Sequence, residues 1–364
     1  MSVNEKEGKI RSLQILRAIA FLGIFLEHAG ATIKWPKLGV SVFLVLSGFL
    51  MMYQGSGEYA IIRAKDCIQF SWSKIRKLYP LHLITMVLAM GIYCYARSVA
   101  GWTFDVVIGL LVKILLNVML LQTWIPYSTI CISLNGVAWY LSVTAFLYAI
   151  FPILKRFVNR HREGAMLWMI SIIIVQVLSC IPFLSAFGNS HPVYIWFMYY
   201  FPVFRIGDFI VGCFLGSWYL NHNNSLSFTK SSLLECVMLV TTILLYIWAE
   251  QTHDSLFITA LCNWTSIYII LACIWVYLFA VQKGALTKLL QRNHLEYIGN
   301  LSSYLFLIHF VITSFINMYC NLNQIVLSDV LLSIVVLSEL VLSLILSQAY
   351  KNLSEKRKSD QVFG

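Results

Sequence analysis

The chain has 364 residues, of which 59% are hydrophobic and only 12% are charged, with a formal net charge of +10. A water-soluble domain carries about 25% charged residues, so this composition excludes an ordinary soluble protein and indicates a polytopic membrane protein. Loops that retain Lys and Arg on the cytoplasmic side explain the basic excess, which therefore does not indicate nucleic-acid binding. The nine cysteines lie mostly in apolar runs without CxxC spacing, so we expect neither a disulfide frame nor a metal site.

Apolar windows of about 20 residues, the length that crosses a bilayer, predict the helices in chain order. They lie at 12–30, 37–54, 79–97, 104–122, 134–154, 165–184, 197–219, 232–249, 256–281, 300–320 and 325–348. If all of them crossed, the basic cluster at 155–162 would face the opposite side from the cluster at 63–77, against the positive-inside rule. The weakest window is 104–122, which has Lys113 at its centre and Asn117 one turn later. We predict that this segment is re-entrant or interfacial.

The other ten windows predict an all-α polytopic membrane protein with about ten transmembrane helices and both termini cytoplasmic. This ten-helix topology places most of the 26 basic residues on the cytoplasmic side of the membrane, as the positive-inside rule requires. The polar segment 1–9 runs into the first window without a cleavage site, so the first helix is expected to remain as a signal anchor. Residues 1–350 form a single membrane domain in this reading, and residues 351–364 form a short charged cytoplasmic tail.

The first window, "LQILRAIAFLGIFLEHAG", contains polar residues that are unusual in a spanning helix. Arg17 and His28 are eleven residues apart, which places them on one helix face about 16 Å apart along the axis. A charged Arg within the bilayer costs a few kcal/mol, so it usually faces a cavity or a partner. The alternative is a snorkelling Arg17 and an interfacial His28. Glu27 points about 80–100° away from His28 around the helix, so we do not assume that it orients the imidazole.

A basic segment precedes the third window. The stretch "SKIRKLYPLH" contains Lys74, Arg76 and Lys77 just before an apolar run. These residues are either ordinary positive-inside anchors or a phosphate-binding patch at the cytoplasmic mouth of the helix bundle.

Two later windows also contain ionisable groups. Arg205 and Asp208 are three residues apart in "YFPVFRIGDFIVGCFLG", so they can neutralise each other on one helix face; a purely structural ion pair is one interpretation. His309 lies in the middle of "GNLSSYLFLIHFVI". It is either a hydrogen-bonded core histidine or a catalytic one.

These motifs, in this order, resemble the integral-membrane acyltransferase 3 family, which O-acylates bacterial glycans and related acceptors. Arg17 and His28 resemble the family's Arg-x10-His signature. The stretches that resemble its other motifs are "GVSVFLVLSGFLMMY", "KIRKLYP", "WYLSVTAFLYAIFP" and "SYLFLIH". Two departures stand out: Lys74 and Lys77 replace arginines, which keeps the charge but loses the bidentate fork, and Thr144 stands where many members have a glutamate.

The resemblance implies transfer of an acyl group, most simply acetyl, from cytoplasmic acyl-CoA to a hydroxyl of a cell-surface or lipid-linked glycan. Because imidazole can accept and return a proton near neutral pH, it suits the role of base. The implied catalytic residues are His28 and Arg17, the acyl-CoA-binding residues are Lys74, Arg76, Lys77 and Arg205, and the possible tunnel or acceptor residues are Glu27, Trp139, Tyr304 and His309.

The expected partners are acyl-CoA as co-substrate, a glycan or lipid-linked saccharide acceptor and the lipid bilayer, with no tightly bound cofactor and no metal. The expected location is the bacterial plasma membrane. The alternative function is that of a membrane transporter or flippase for a glycan or small polar solute, because intramembrane Arg, Asp and His also mark ion pathways. A catalytically silent scaffold in a polysaccharide-export complex is a further alternative.

Overall fold

The computed structural model describes residues 10–32, 35–55, 63–222, 224–249, 251, 255–262, 266–291 and 294–363, with side chains in the last helix up to residue 356. Within these ranges the regular structure is entirely helical. The segment 1–9, which bears on the signal-anchor prediction, and the side chains of 357–364 in the predicted tail lie outside the described residues.

The described part of the chain forms sixteen α-helices, joined by turns, three short 3-10 segments and one π-helical segment at Trp196–Tyr200. In chain order these are α1 Arg11–His28, α2 Pro36–Tyr53, α3 Ala64–Ile75, α4 Tyr79–Ala100, α5 Phe104–Val118, α6 Ser128–Cys131, α7 Trp139–Arg160, α8 Ala165–Phe187, α9 Pro192–Ile195, α10 Ile206–Asn221, α11 Phe228–Ala249, α12 Leu256–Cys262, α13 Ser266–Val281, α14 Ala285–Gln291, α15 Leu295–Leu322 and α16 Asp329–Phe363.

Each apolar window coincides with a helix or with a pair of consecutive helices, so the all-α prediction is confirmed. Of the helices that the structure describes, seven are long and apolar enough to cross a membrane, and α12 with α13 supplies an eighth if the pair is one span. The seven are α2, α4, α7, α8, α11, α15 and α16. The two other predicted spans are α1, which carries three charged residues, and α10, which has 16 residues. The number of spans and the side of the termini remain predictions.

The segment predicted to be re-entrant or interfacial forms α5, which has 15 residues. At 1.5 Å per residue, this helix is about 22 Å long and is shorter than the hydrocarbon layer. Only Leu110 and Asn117 of α5 are buried, while Phe104, Leu111 and Leu115 are exposed. Its position relative to the membrane remains a prediction.

Helix α2 lies at the centre of the molecule and packs against α1, α10 and α13. The contact between α2 and α10 depends on small residues: a Cβ at Gly48 would overlap the Phe209 carbonyl oxygen, and a Cβ at Gly212 would overlap the Val45 carbonyl oxygen. Glycines allow this approach because membrane helices gain little from the hydrophobic effect and associate through close backbone packing.

Helix α1 packs along α15, and this contact positions the polar residues of both helices. It brings Arg17 to Ser303 near one end of the pair and His28 to His309 nearer the other. The two helices are far apart in the chain, so their pairing is a property of the fold rather than of local sequence.

Helix α3 places the basic segment against the bundle. Asp66, in its first turn, accepts a hydrogen bond from the Arg63 backbone N–H over 3.1 Å, which satisfies one donor at the helix start. The Ser71 hydroxyl donates to the Ala145 carbonyl oxygen over 2.6 Å, and Ile75 is buried. These contacts hold α3 on α7. They set the position of Lys74 in the last turn of α3 and of Lys77 just after it.

Candidate active site

A cavity of about 390 Å³ lies at the end of the bundle where α1 and α15 begin and α2 ends. Its walls come from α1, α2, α3, α7, α15 and the turn between α3 and α4. Three cationic side chains line it, and no acidic side chain does among the residues that the structure describes. The cations are Arg17, Lys74 and Lys77. The volume falls within the range of roughly 300–1,000 Å³ that is typical of small-molecule sites, and the charge favours an anionic ligand.

Arg17 is the most deeply placed of these cations. It is half-buried on α1, and its Nη2 donates a long hydrogen bond of 3.5 Å to the Ser303 hydroxyl. Two tyrosines of α7, Tyr140 and Tyr148, line the same cavity. Arg17 therefore faces a polar cavity rather than hydrocarbon, which favours the cavity-facing interpretation of Arg17 over the snorkelling one.

The predicted basic patch divides into two parts. Lys74 and Lys77 line the cavity, whereas Arg76 is exposed and is not part of its lining. The Lys77 ammonium lies 5.3 Å from the centre of the Tyr304 ring, a cation–π distance. The two lysines are exposed to solvent at the mouth, where they can meet a soluble anion.

Three residues predicted for a tunnel or acceptor site lie in different surroundings. Tyr304 lines the cavity, and its buried hydroxyl has no hydrogen-bond partner among the described residues. Trp139 is buried and packs against the rings of Tyr199 and Tyr200, at 5.0 and 5.2 Å between centres, outside the cavity lining. Glu27 is half-buried on α1 and is also outside the lining.

Arg205 does not line the cavity. Its side chain is fully buried, and its Nη2 lies 2.9 Å from a carboxylate oxygen of Asp208, which is itself fully buried. Gln176 donates to the other oxygen of Asp208 over 3.4 Å, and the guanidinium lies 5.7 Å from the centre of the Tyr199 ring. This environment favours the structural ion pair over a role in binding acyl-CoA; that role remains an untested prediction.

The two predicted histidines form a hydrogen-bonded pair. His28 Nδ1 lies 2.9 Å from His309 Nε2, and the rings stack with 5.2 Å between centres. His309 is fully buried and its Nδ1 lies 2.8 Å from the Leu305 carbonyl oxygen. Phenylalanine rings surround the pair; they belong to Phe21, Phe25, Phe306 and Phe310.

These contacts determine which nitrogens carry protons when both imidazoles are neutral. The Leu305 carbonyl can only accept, so His309 Nδ1 carries the proton and its Nε2 has the lone pair. His28 Nδ1 must then donate to His309 Nε2, which leaves the lone pair of His28 on Nε2. A histidine whose tautomer is fixed in this way presents a proton acceptor at a defined atom.

Sequence reasoning missed several polar residues of the cavity and the contact between the histidines. Tyr140, Tyr148, Ser47 and Gln14 all line the cavity. Ser47, Tyr140 and Tyr148 lie inside the quoted motif stretches, but uncharged polar residues are common in membrane helices and carry no chemical signal by themselves. The histidine contact joins residues 281 positions apart, a separation that no local pattern reveals.

The chain is similar to known proteins over most of its length. A family model described as an acyltransferase domain matches residues 10–350. The chain is 27% identical over 232 residues to acyltransferase MdmB of Streptomyces mycarofaciens, covering 56% of each protein. It is 24% identical over 334 residues to O-acetyltransferase OatA of Staphylococcus aureus, covering 85% of this chain and 51% of that protein.

A third relative is named regulator of hypoxia-inducible factor 1, from Caenorhabditis elegans; it is 22% identical over 316 residues, with 70% of this chain and 61% of that protein covered. The chain thus spans between about half and three-fifths of the length of these curated relatives. No solved structure matches it. The family match extends over nearly the whole described bundle, and the chain belongs to the integral-membrane acyltransferase 3 family.

Proposed function

We propose that the protein is a membrane O-acyltransferase, which moves an acyl group, most simply acetyl, from acyl-CoA to a hydroxyl of a cell-surface or lipid-linked glycan. One observation carries this proposal. A cavity lined by three cations shares the wall residue Phe306 with the surroundings of a hydrogen-bonded histidine pair. The arrangement has an anion-binding end and a base, as transfer from a phosphorylated thioester carrier requires.

The cavity suits the donor by charge. Coenzyme A carries a diphosphate and a ribose phosphate, and hydrogen bonds to such groups from cations are stronger than neutral ones. In this proposal Lys74 and Lys77 contact the phosphates of coenzyme A at the mouth of the cavity. Arg17 binds a phosphate deeper in the cavity, where partial burial strengthens the electrostatic attraction. Lys supplies charge without the bidentate fork of Arg, so the mouth attracts the nucleotide without fixing one phosphate geometry.

His28 is the proposed general base. Its Nε2 accepts the proton of the acceptor hydroxyl while the hydroxyl oxygen forms a bond to the acyl carbon. The carbon–sulfur bond of the thioester then breaks, and the proton held at Nε2 passes to the departing thiolate. Every proton is accounted for, and the imidazole returns to its starting state.

His309 is the proposed positioning residue. It touches His28 through a hydrogen bond of 2.9 Å and is anchored by the Leu305 carbonyl. While His28 holds the extra proton, its Nδ1–H is a charged donor to His309 Nε2, and such charge-assisted bonds are stronger than neutral ones. His309 therefore stabilises the protonated form of His28 as well as the required tautomer.

The acceptor and the location are the remaining parts of the proposal. Two relatives are named acyltransferases, one of them an O-acetyltransferase, which supports a hydroxyl acceptor and an acetyl group. The apolar helices and the family support a multi-pass protein, here proposed to lie in a bacterial plasma membrane with the cationic cavity open to the cytoplasm.

The test supplies radiolabelled acetyl-CoA to inverted membrane vesicles that contain the protein and a glycan acceptor. We expect the label to become covalently attached to glycan and to be released by mild base, as an ester would be. His28→Ala should abolish labelling at an unchanged protein level in the membrane. Label that crosses the vesicle membrane without covalent attachment would instead indicate the transporter or flippase.

A further inference from the structure

Three aromatic rings from three helices meet in the wall of the cationic cavity, and one of them also contacts the histidine pair. They belong to Phe43 on α2, Tyr140 on α7 and Phe306 on α15, and all three line the cavity. The ring centres are 6.1 Å apart for Phe43 and Tyr140, 6.2 Å for Phe43 and Phe306, and 5.4 Å for Tyr140 and Phe306. These are contact distances for aromatic pairs, so the rings form a closed triangle, which we call the aromatic partition.

One ring of the partition contacts the histidine pair. Phe306 faces the cavity and also packs against His309, with 6.0 Å between ring centres. His309 in turn is hydrogen-bonded to His28. In the proposed function, an acyl group that enters from the cavity passes this contact to reach the proposed base.

We infer that the aromatic partition is the specificity-determining element for the acyl group, and that it selects short, unbranched acyl chains. This inference rests on the proposed function. The acyl end of the thioester is the leading end of a donor whose phosphates are held at the mouth, so each added methylene must fit between the packed rings. Phe43 and Phe306 are more than nine-tenths buried, which leaves little free space for them to move aside.

The expected discrimination follows from packing. Apolar pockets discriminate about 10- to 200-fold between substrates that differ by one methylene, and butyryl exceeds acetyl by two methylenes. We expect the wild-type protein to prefer acetyl-CoA over butyryl-CoA by at least tenfold in kcat/KM. Removing the ring of Phe306 opens the partition, so Phe306→Ala should lower this preference by about tenfold or more.

The experiment measures kcat/KM for acetyl-CoA and butyryl-CoA in the vesicle assay for wild type, Phe306→Ala and Phe43→Ala. Because the result is a ratio of two rate constants for the same preparation, it does not depend on how much of a variant folds. Phe306→Leu, which removes the ring but keeps a branched apolar side chain, is measured alongside in case the alanine variant is absent from the membrane.

A matched control is Phe49→Ala. Phe49 lies on the same helix as Phe43 and is fully buried, but it packs against Tyr53 and Tyr219 and is not in the cavity lining. Its replacement should leave the acetyl-to-butyryl ratio within about twofold of wild type, whatever its effect on the amount of protein, since it leaves the partition intact.

The outcomes separate this inference from the proposed function. If wild type transfers acetyl but shows no preference, or if the ratio is unchanged in the Phe306 and Phe43 variants, the partition does not select the acyl group and the proposed function stands. If wild type transfers neither acyl group to the acceptor, the proposed function itself is wrong.

Discussion

Replacing His309 by Phe is the change that isolates the histidine contact. Phe fills a similar volume but offers no lone pair, so the Nδ1–H of His28 loses the acceptor that lies 2.9 Å away. His28 is protonated during the reaction, so its Nδ1–H becomes a charged donor, and loss of the acceptor costs the transition state about 1–3 kcal/mol more than the neutral ground state. At about 1.36 kcal/mol per tenfold change in rate, kcat should fall roughly 5- to 150-fold. KM for acetyl-CoA should change little, because His309 is not part of the cavity lining.

Two further variants make this result specific. Gln at position 309 carries a carbonyl oxygen that can accept from His28, so His309→Gln should recover much of the lost activity. His82→Phe is the matched control: His82 is also fully buried and bonded to a backbone carbonyl, that of Asn117, over 3.0 Å, but it does not line the cavity. It should leave kcat per folded protein within about twofold.

The assay is label transfer in inverted vesicles at saturating acceptor, with kcat and KM for acetyl-CoA determined for each variant and normalised to membrane-inserted protein. Full activity in His309→Phe would refute the role of the contact. An equal loss in His309→Gln and His309→Phe would show that the imidazole acts in some way other than as an acceptor for His28.

Three other predictions concern the donor site and the bundle. Arg17→Ala should lower kcat/KM for acetyl-CoA roughly tenfold through loss of one charge-assisted phosphate contact. Arg76 lies outside the cavity lining, so Arg76→Ala should have little effect. Equal effects of the two variants would contradict donor binding by Arg17. Gly48→Ala should lower the midpoint of thermal unfolding in detergent, since overpacking costs about 1–3 kcal/mol, whereas Gly91→Ala adds a methyl group in open space and should not. Asp208→Asn leaves the buried charge of Arg205 without its partner, at a cost of about 3–5 kcal/mol. The amount of folded protein should therefore drop, and KM for acetyl-CoA should not change. A raised KM with normal folding would instead support donor binding by Arg205.

The sequence was sufficient for the helices because apolar runs of bilayer length have few other structures available to them. Among the described residues, every window, including 104–122, contains helix. The interaction between Arg205 and Asp208 was also predictable, because residues three apart on a helix are neighbours. The sequence does not reveal which side of a helix faces the interior of the bundle, so nothing in it shows that Lys74 and Lys77 line the cavity while Arg76 does not.

The contacts that make the site connect distant parts of the chain. Helix α1 meets α15, and only this packing brings His28 to His309 and Arg17 to Ser303. The aromatic partition likewise draws one ring from each of three helices. Such contacts depend on which helix faces pack together, and a single sequence without the fold does not specify that.

Acyl transfer by this protein is tested most directly by mass spectrometry of the surface glycan from cells that express either the wild-type chain or His28→Ala at equal membrane levels. With the wild-type chain we expect an acetyl mass increment on the glycan that mild base removes, and with His28→Ala we expect no increment. The same increment in both strains, or none that depends on the wild-type chain, would contradict acyl transfer by the histidine pair beside the cationic cavity.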